Sequence, residues 1–255
     1  MKTLIRWLMR HVPRPILIRL SLLFGWVIRP FYRGNRVFCP VCRSSFRQFL
    51  PYGIQKRENV LCPSCLSLER HRLIWLYLEQ KSDFFTAPGR VLHVAPEQCF
   101  YKRFKKLDHI DYVTADLESP MADLHFDLHH IPLDEKQFDW VICNHVLEHV
   151  ADDRQVMKEI LRVLKPGGRA LLQVPLDYSY EITYEDPGIT DPSEREIHFG
   201  QRDHLRVYGC DYPERLREAG FTVHEEYFLQ ELLPEQRERY RLPEKEDIYL
   251  CQRPK

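Results

Sequence analysis

The sequence predicts an α/β protein: a seven-stranded, mostly parallel sheet preceded by a small cysteine-bound module and basic N-terminal helices. Two observations carry this. From Arg90 onward, buried-type strands alternate with amphipathic helices, the pattern of a parallel sheet with helices on both faces. Before Arg90, two C-x2-C pairs stand nineteen residues apart. Length and composition agree: 255 residues, 44% hydrophobic and 29% charged, accommodate one α/β domain and a small appendage.

The net charge of zero hides an asymmetry. Residues 1–82 carry 15 Lys+Arg against 3 Asp+Glu, and the remainder is correspondingly acidic. Glu58 is the first acidic residue. Such a split suits an N-terminal part that meets a polyanion, an anionic membrane surface or its own acidic domain.

Residues 1–36 read as one or two basic amphipathic helices. The longest uncharged stretch, Leu20–Ile28, is nine residues, far short of the roughly 20 that a spanning helix needs. No cleavage site of a secretory signal follows it. The expectation is a cytoplasmic protein, peripheral to a membrane if Trp7, Phe24 and Trp26 enter the interface.

Residues 37–82 read as a zinc ribbon plus helix. Cys39, Cys42, Cys62 and Cys65 have the spacing of two knuckles that close a tetrahedron of thiolates. Disulfides would require a secreted chain, and a redox pair would occur once. A closed four-cysteine site is structural. Ser67 is the expected N-cap of the helix over 67–82, with Leu73, Leu76 and Tyr77 as its apolar stripe. Arg70, His71 and Arg72 are expected as exposed charge beside the metal module. Residues 83–89 form a linker.

Within residues 90–255 the strands are RVLHVAP, IDYVTADLE, ADLHFDL, FDWVIC, ALLQVP, FTVHEEYF and DIYLCQRP. Helices are predicted over Cys99–Leu107, Asp153–Leu164 and Tyr212–Ala219. Asp152 or Asp153 caps the second, and Gly220 stops the third. Ligands of such sheets sit at the carboxyl ends of the strands.

The run FDWVICNHVLEHVADDRQVMKEILRVLKPGGRALLQVP is a strand, a turn, a capped helix, a Lys-Pro-Gly-Gly stop and a second strand. It resembles the C-terminal half of the nucleotide-binding sheet of class I S-adenosylmethionine-dependent methyltransferases, of the type 11 kind. The resemblance covers about Arg90–Pro254. It implies a Rossmann-like methyltransferase sheet whose last strand pair includes an antiparallel one. The cofactor it implies is S-adenosylmethionine. The loop from His93 through Ala95 and Glu97 would wrap its methionine part. Asp116 would take the ribose hydroxyls and Leu117 would lie beside the adenine. Asp127 and Leu128 would meet the adenine amino group, and Asn144 and His145 would line the transfer site. The family's glycine-rich first loop is here Ala95-Pro96-Glu97-Gln98-Cys99, without glycine.

Residues 176–211, between the fifth strand and the next helix, read as a substrate cap. It supplies His198 and His204 which, with His145, are the candidate general bases, because imidazole titrates near neutrality. His145-Val-Leu-Glu148-His149 also fits the H-x-x-E-H pattern of inverted zinc proteases, but that pattern requires one continuous helix. Three function classes follow: methyl transfer to a small molecule, lipid or glycan; RNA methylation, with residues 1–57 gripping phosphates; and a non-catalytic binding module that has lost its glycine loop.

Overall fold

The structure, a computed structural model, describes Gly25, residues 27–53 and residues 56–255. The expected interfacial helices, with Trp7, Phe24 and Trp26, lie outside the described residues. Among the described residues no helix is long and apolar enough to cross a membrane.

The chain divides into two compact units, and the division is not sequential. One comprises residues 1–87, 97–107 and 227–247; the other comprises 88–96, 108–226 and 248–255. A single domain over 90–255 is therefore not what the chain builds. The chain leaves the sheet after its first strand and again between its last two.

The first unit begins with two antiparallel hairpins, β1 (Arg33–Cys39) with β2 (Ser44–Phe46) and β3 (Leu50–Tyr52) with β4 (Arg57–Leu61). β1 takes in the last residues of the segment expected as N-terminal helix. Helix α1 (Glu69–Lys81) follows, then α2 (Gln98–Phe104). Trp75 of α1 stacks on Phe104 of α2, with centroids 6.0 Å apart and planes 9° apart, and Phe84, Phe85 and Phe100 complete the aromatic packing.

Arg72 holds this unit together. It is fully buried, and its guanidinium donates four hydrogen bonds, all to backbone carbonyls: Val60 and Ser67 at 2.9 Å, Tyr240 at 2.6 Å and Arg241 at 2.7 Å. Its plane lies over the Phe49 ring. His71 is buried as well. The expectation of exposed charge fails here because carbonyls from three separate segments converge on one point, and a long fork-shaped donor can serve them all at once.

The second unit is a seven-stranded sheet. Its strands are β5 (Gly89–Val94), β6 (Ile110–Asp116), β7 (Leu124–His125), β8 (Phe138–Asn144), β9 (Leu164–Gln173), β12 (Thr222–Glu226) and β13 (Ile248–Gln252). Their order is β12-β13-β9-β8-β5-β6-β7. Only β13 runs antiparallel to its neighbours. Val91, Leu92, His93 and Val94 are all buried, as a strand covered on both faces requires.

Helix α3 (Asp153–Val163) lays Val156, Met157, Ile160 and Val163 into the core. Asp152 caps it by accepting from Gln155 N at 2.9 Å. Gly167 turns the chain in the left-handed region at φ +78°. Its neighbour Gly168 has no room for a Cβ, which would lie 2.8 Å from the Lys165 carbonyl.

The cap carries the small pair β10 (Tyr184–Glu185) and β11 (Arg206–Val207), with helix α4 (Pro192–Phe199) between them. Helix α5 (Tyr212–Glu218) leads into β12, and Gly220, at φ +107°, makes the stop. The excursion before β13 forms two short helices, α6 (Phe228–Glu231) and α7 (Pro234–Tyr240), in the first unit.

Candidate functional site

In the first unit the four cysteines converge. Cys39 and Cys65 sulfurs lie 3.6 Å apart, as do those of Cys42 and Cys62, and all four fall within 4.8 Å of one another. Tetrahedral zinc with bonds of about 2.3 Å separates its sulfurs by about 3.8 Å, so the cluster has the size of a zinc site. Ser67 is not the helix cap. Its Oγ lies 3.2 Å from Cys39 Sγ and 3.3 Å from Cys65 Sγ, and the His71 ring accepts the Leu68 N–H instead.

The thiols are driven apart in acidity. Hydrogen bonding with Cys39 draws Cys42 down, and burial pushes Cys62 up. Arg72, with no carboxylate among its four bonds, lies within electrostatic reach of Cys39, Cys62 and Cys65. A buried guanidinium near three of the four sulfurs fits a thiolate cluster carrying net negative charge.

In the second unit, the candidate ligand residues gather at the carboxyl ends of β5, β6 and β8. Ala95 follows β5 with φ +47°, a left-handed conformation that costs a residue with a Cβ about 1–2 kcal/mol. Its N–H donates to the Ala115 carbonyl at 2.8 Å, immediately before Asp116. Asp116 Oδ1 accepts from the backbone of Glu118 (2.9 Å) and Ser119 (2.7 Å), which fixes the carboxylate at the head of its loop. Leu117 beside it is 65% exposed, a large apolar side chain left in the open.

Asp127 Oδ1 accepts from the His129 backbone (2.9 Å) and faces His129 Nδ1 at 2.6 Å. The backbone bond from His129 holds its carboxyl below the usual carboxylate range. His129 Nε2 accepts from Asp152 N at 3.1 Å, so Nδ1 carries the proton donated to Asp127. The loop after β7 is thereby tied to the cap of α3. Leu128 is buried in the core, and Asn144 ends β8, 5% exposed.

Two expected residues are placed elsewhere. His93 lies inside β5, fully buried, with Nδ1 2.7 Å from Tyr112 Oη; the loop begins after it, at Ala95. Glu97 belongs to the first unit, where its carboxylate lies 3.9 Å from His71 Nε2 at the start of α2. The resemblance implies one cofactor loop for both because strand ends cannot be fixed to a residue from pattern alone.

The histidines separate. His145, at φ +54°, directly follows β8, with Nδ1 3.4 Å from Glu148 Oε1. His204, from the cap, is brought beside Glu148 and His149, and burial lowers its basicity. His198 lies apart on α4, with Nδ1 2.8 Å from Tyr184 Oη. Glu148 and His149 sit on a single 3-10 turn, Leu147–His149, so the H-x-x-E-H letters do not form the continuous helix of a protease.

Arg206 stands out in the sequence as one of the cap's functional-type side chains, but its structural role does not. It is buried and donates to the carbonyls of Leu147 (2.7 Å), Val150 (2.7 Å) and Ala151 (2.9 Å) and to Glu185 (2.9 Å). Arg215 bridges Asp153 (3.1 Å) and Glu185 (3.0 Å), and Tyr208 Oη donates to Asp153 at 2.8 Å. This network fastens the cap to the turn after β8. Burial would raise Asp153, but the charge of Arg206 and the bonds from Arg215 and Tyr208 hold its carboxyl below the ordinary range.

Residues 87–172, from β5 through most of β9, match the family model described as "Methyltransferase domain". This segment is about a third of the chain. The fold around it is the Rossmann-like class I methyltransferase sheet, with β13 supplying the antiparallel strand. The cyclase SpnF, a solved structure, has the same fold: TM-score 0.50 and 16% identity, over 72% of this chain and 81% of that one.

A "Probable S-adenosylmethionine-dependent methyltransferase" of Mycolicibacterium smegmatis is 31% identical over 125 residues, covering 48% of this chain and 44% of that protein. An "Uncharacterized 37.1 kDa protein in transposon TN4556" of Streptomyces fradiae is 37% identical over 71 residues, 28% of this chain and 21% of that one. The chain thus spans less than half the length of the curated relatives it matches. That the methyltransferase domain shares its fold with a cyclase shows that the sheet alone does not dictate the reaction.

Proposed function

We propose that the protein transfers a methyl group from S-adenosylmethionine to a small molecule, lipid or glycan. The observation that carries this reading is the pairing of Ala95 with Asp116 at the carboxyl ends of β5 and β6, inside the matched domain. A short residue holds the left-handed turn there that the family fills with glycine. The carboxylate stands one residue beyond the Val94–Ala115 register pair.

The cofactor fits these residues. The Ala95–Pro96 backbone would receive its methionine part and Asp116 its ribose hydroxyls. Leu117, Leu128 and Asp127 would enclose the adenine. S-adenosylmethionine supplies a methyl group already activated on a sulfonium, so the protein's task is alignment of the acceptor. His145, oriented by Glu148, is the group suited to take the acceptor's proton, and Asn144 lies beside it at the strand end. His198 and His204 are set back from that role, one on Tyr184 and the other against His149.

The cap favours a small acceptor over RNA. Residues 176–211 carry nine Asp+Glu against three Lys+Arg, a charge that repels a phosphate backbone. They also expose Ile182 and Ile197, apolar side chains that suit an acceptor with a hydrophobic part. Cys39, Cys42, Cys62 and Cys65 would hold a structural zinc ion, closed to substrate.

Calorimetric titration of S-adenosylmethionine into the full chain and into Asp116→Ala tests the reading. Binding in the micromolar range, about −8 kcal/mol, that the substitution abolishes is the expected result. Absence of binding by zinc-loaded protein overturns it and leaves the binding-module reading.

A further inference from the structure

We propose that Glu148, His149 and His204 form a second metal site, for a divalent transition-metal ion, separate from the four cysteines. One carboxylate oxygen and one nitrogen from each imidazole lie within 4.8 Å of one another. Two imidazoles and a carboxylate suit zinc, manganese or iron(II), and three protein ligands leave coordination positions open for water or an oxygen-bearing ligand.

The state of each donor supports this. Glu148 is 1% exposed, and its Oε2 is buried without a hydrogen-bond partner. Leaving a carboxylate oxygen so is costly unless a cation meets it. His149 Nδ1 lies 3.2 Å from the Asp203 carbonyl. A carbonyl only accepts, so Nδ1 carries the proton and Nε2 keeps its lone pair for a metal. Metal-bound histidines are oriented by this kind of second contact.

The ligands are also held before any ion arrives. Leu205 N donates to the Glu148 carbonyl at 2.8 Å, joining the turn to the cap segment that carries His204. Arg206 grips the carbonyls on either side of Glu148 and His149, those of Leu147, Val150 and Ala151. Two chain segments more than fifty residues apart are locked so that their donors face each other, and such preorganisation makes a site selective.

The site shares Glu148 with the methyl-transfer reading but does not require it, and metal content measures it without turnover. The full chain is dialysed against a weak chelator, and bound metal is counted by mass spectrometry after saturation with Zn²⁺. In parallel, Co²⁺ is titrated and followed by its visible absorption. The expected result is two equivalents, the second giving a cobalt spectrum without thiolate charge transfer. Glu148→Gln and His149→Ala each weaken that second site at least tenfold and leave the cysteine-bound equivalent intact. The His149 side chain is 34% exposed, against 2% for Glu148, so its variant keeps the fold if the Glu148 variant does not. One equivalent in the wild type, or a second one that survives both substitutions, overturns the proposal.

Discussion

Ala95 and His145 hold φ angles of +47° and +54° at the carboxyl ends of neighbouring parallel strands, just beyond the register pair Val94–Cys143. Non-glycine residues in this region are strained, and strain persists where function needs the backbone held so. Ala95 turns the loop that faces Asp116, and His145 aims its ring at Glu148.

Ala95→Gly relieves the left-handed strain. It is expected to stabilise the protein by about 1 kcal/mol and to leave or strengthen S-adenosylmethionine binding. Ala95→Val is expected to destabilise, because β-branching tolerates positive φ worst. Urea denaturation of the three proteins, read at the midpoint, checks both.

Arg72→Met removes four hydrogen bonds and leaves the carbonyls of Val60, Ser67, Tyr240 and Arg241 without their donor. The expected cost is at least about 3 kcal/mol. Loss of zinc on mild chelation is expected to accompany it, since the positive neighbour of the thiolates is gone. Denaturant titration and zinc release to a chromogenic chelator measure the two effects.

Ser67→Ala takes away the hydroxyl that lies 3.2 Å from Cys39 Sγ and 3.3 Å from Cys65 Sγ. Zinc affinity is expected to fall about tenfold, as for other contacts to a metal's ligands. Competition with a chelator of known affinity gives the number. An unchanged affinity assigns the hydroxyl to packing alone.

Asp153 and Glu185 are both held below the ordinary carboxylate range in the folded protein. A group with a depressed folded value contributes stability that is fully present above its unfolded value, about 4, and is lost as pH falls through the folded one. Stability is therefore expected to be flat from pH 7 to 5 and to drop below pH 4. Asp153→Asn leaves Arg215 without that buried counter-charge, costs about 3–5 kcal/mol and flattens the acid limb. Thermal melts of both proteins across pH 3–7 test this.

Much of the sheet was legible in the sequence because parallel strands buried on both faces leave runs such as VLHV and WVIC, and stops such as Lys-Pro-Gly-Gly leave their own letters. The cysteine cluster was legible because metal spacing is local. Arg72, Arg206 and Glu148 were not. Their roles depend on carbonyls and imidazoles far away in sequence, and a charged residue carries no local mark of burial. The resemblance, not the pattern, places Asp116 at its strand end. That its Oδ1 would serve the loop backbone could not be known without the turn.

The excursions of residues 97–107 and 227–247 into the first unit set an order of events during synthesis. Arg72 must wait for carbonyl partners 168 and 169 residues further along. The cysteine-rich unit leaves the ribosome first, yet it cannot complete its own core until nearly the last strand has been made. Contacts this distant in sequence slow folding, and Tyr77 of α1 likewise waits for Phe228, so the cysteine-rich part is the one in longest need of a chaperone.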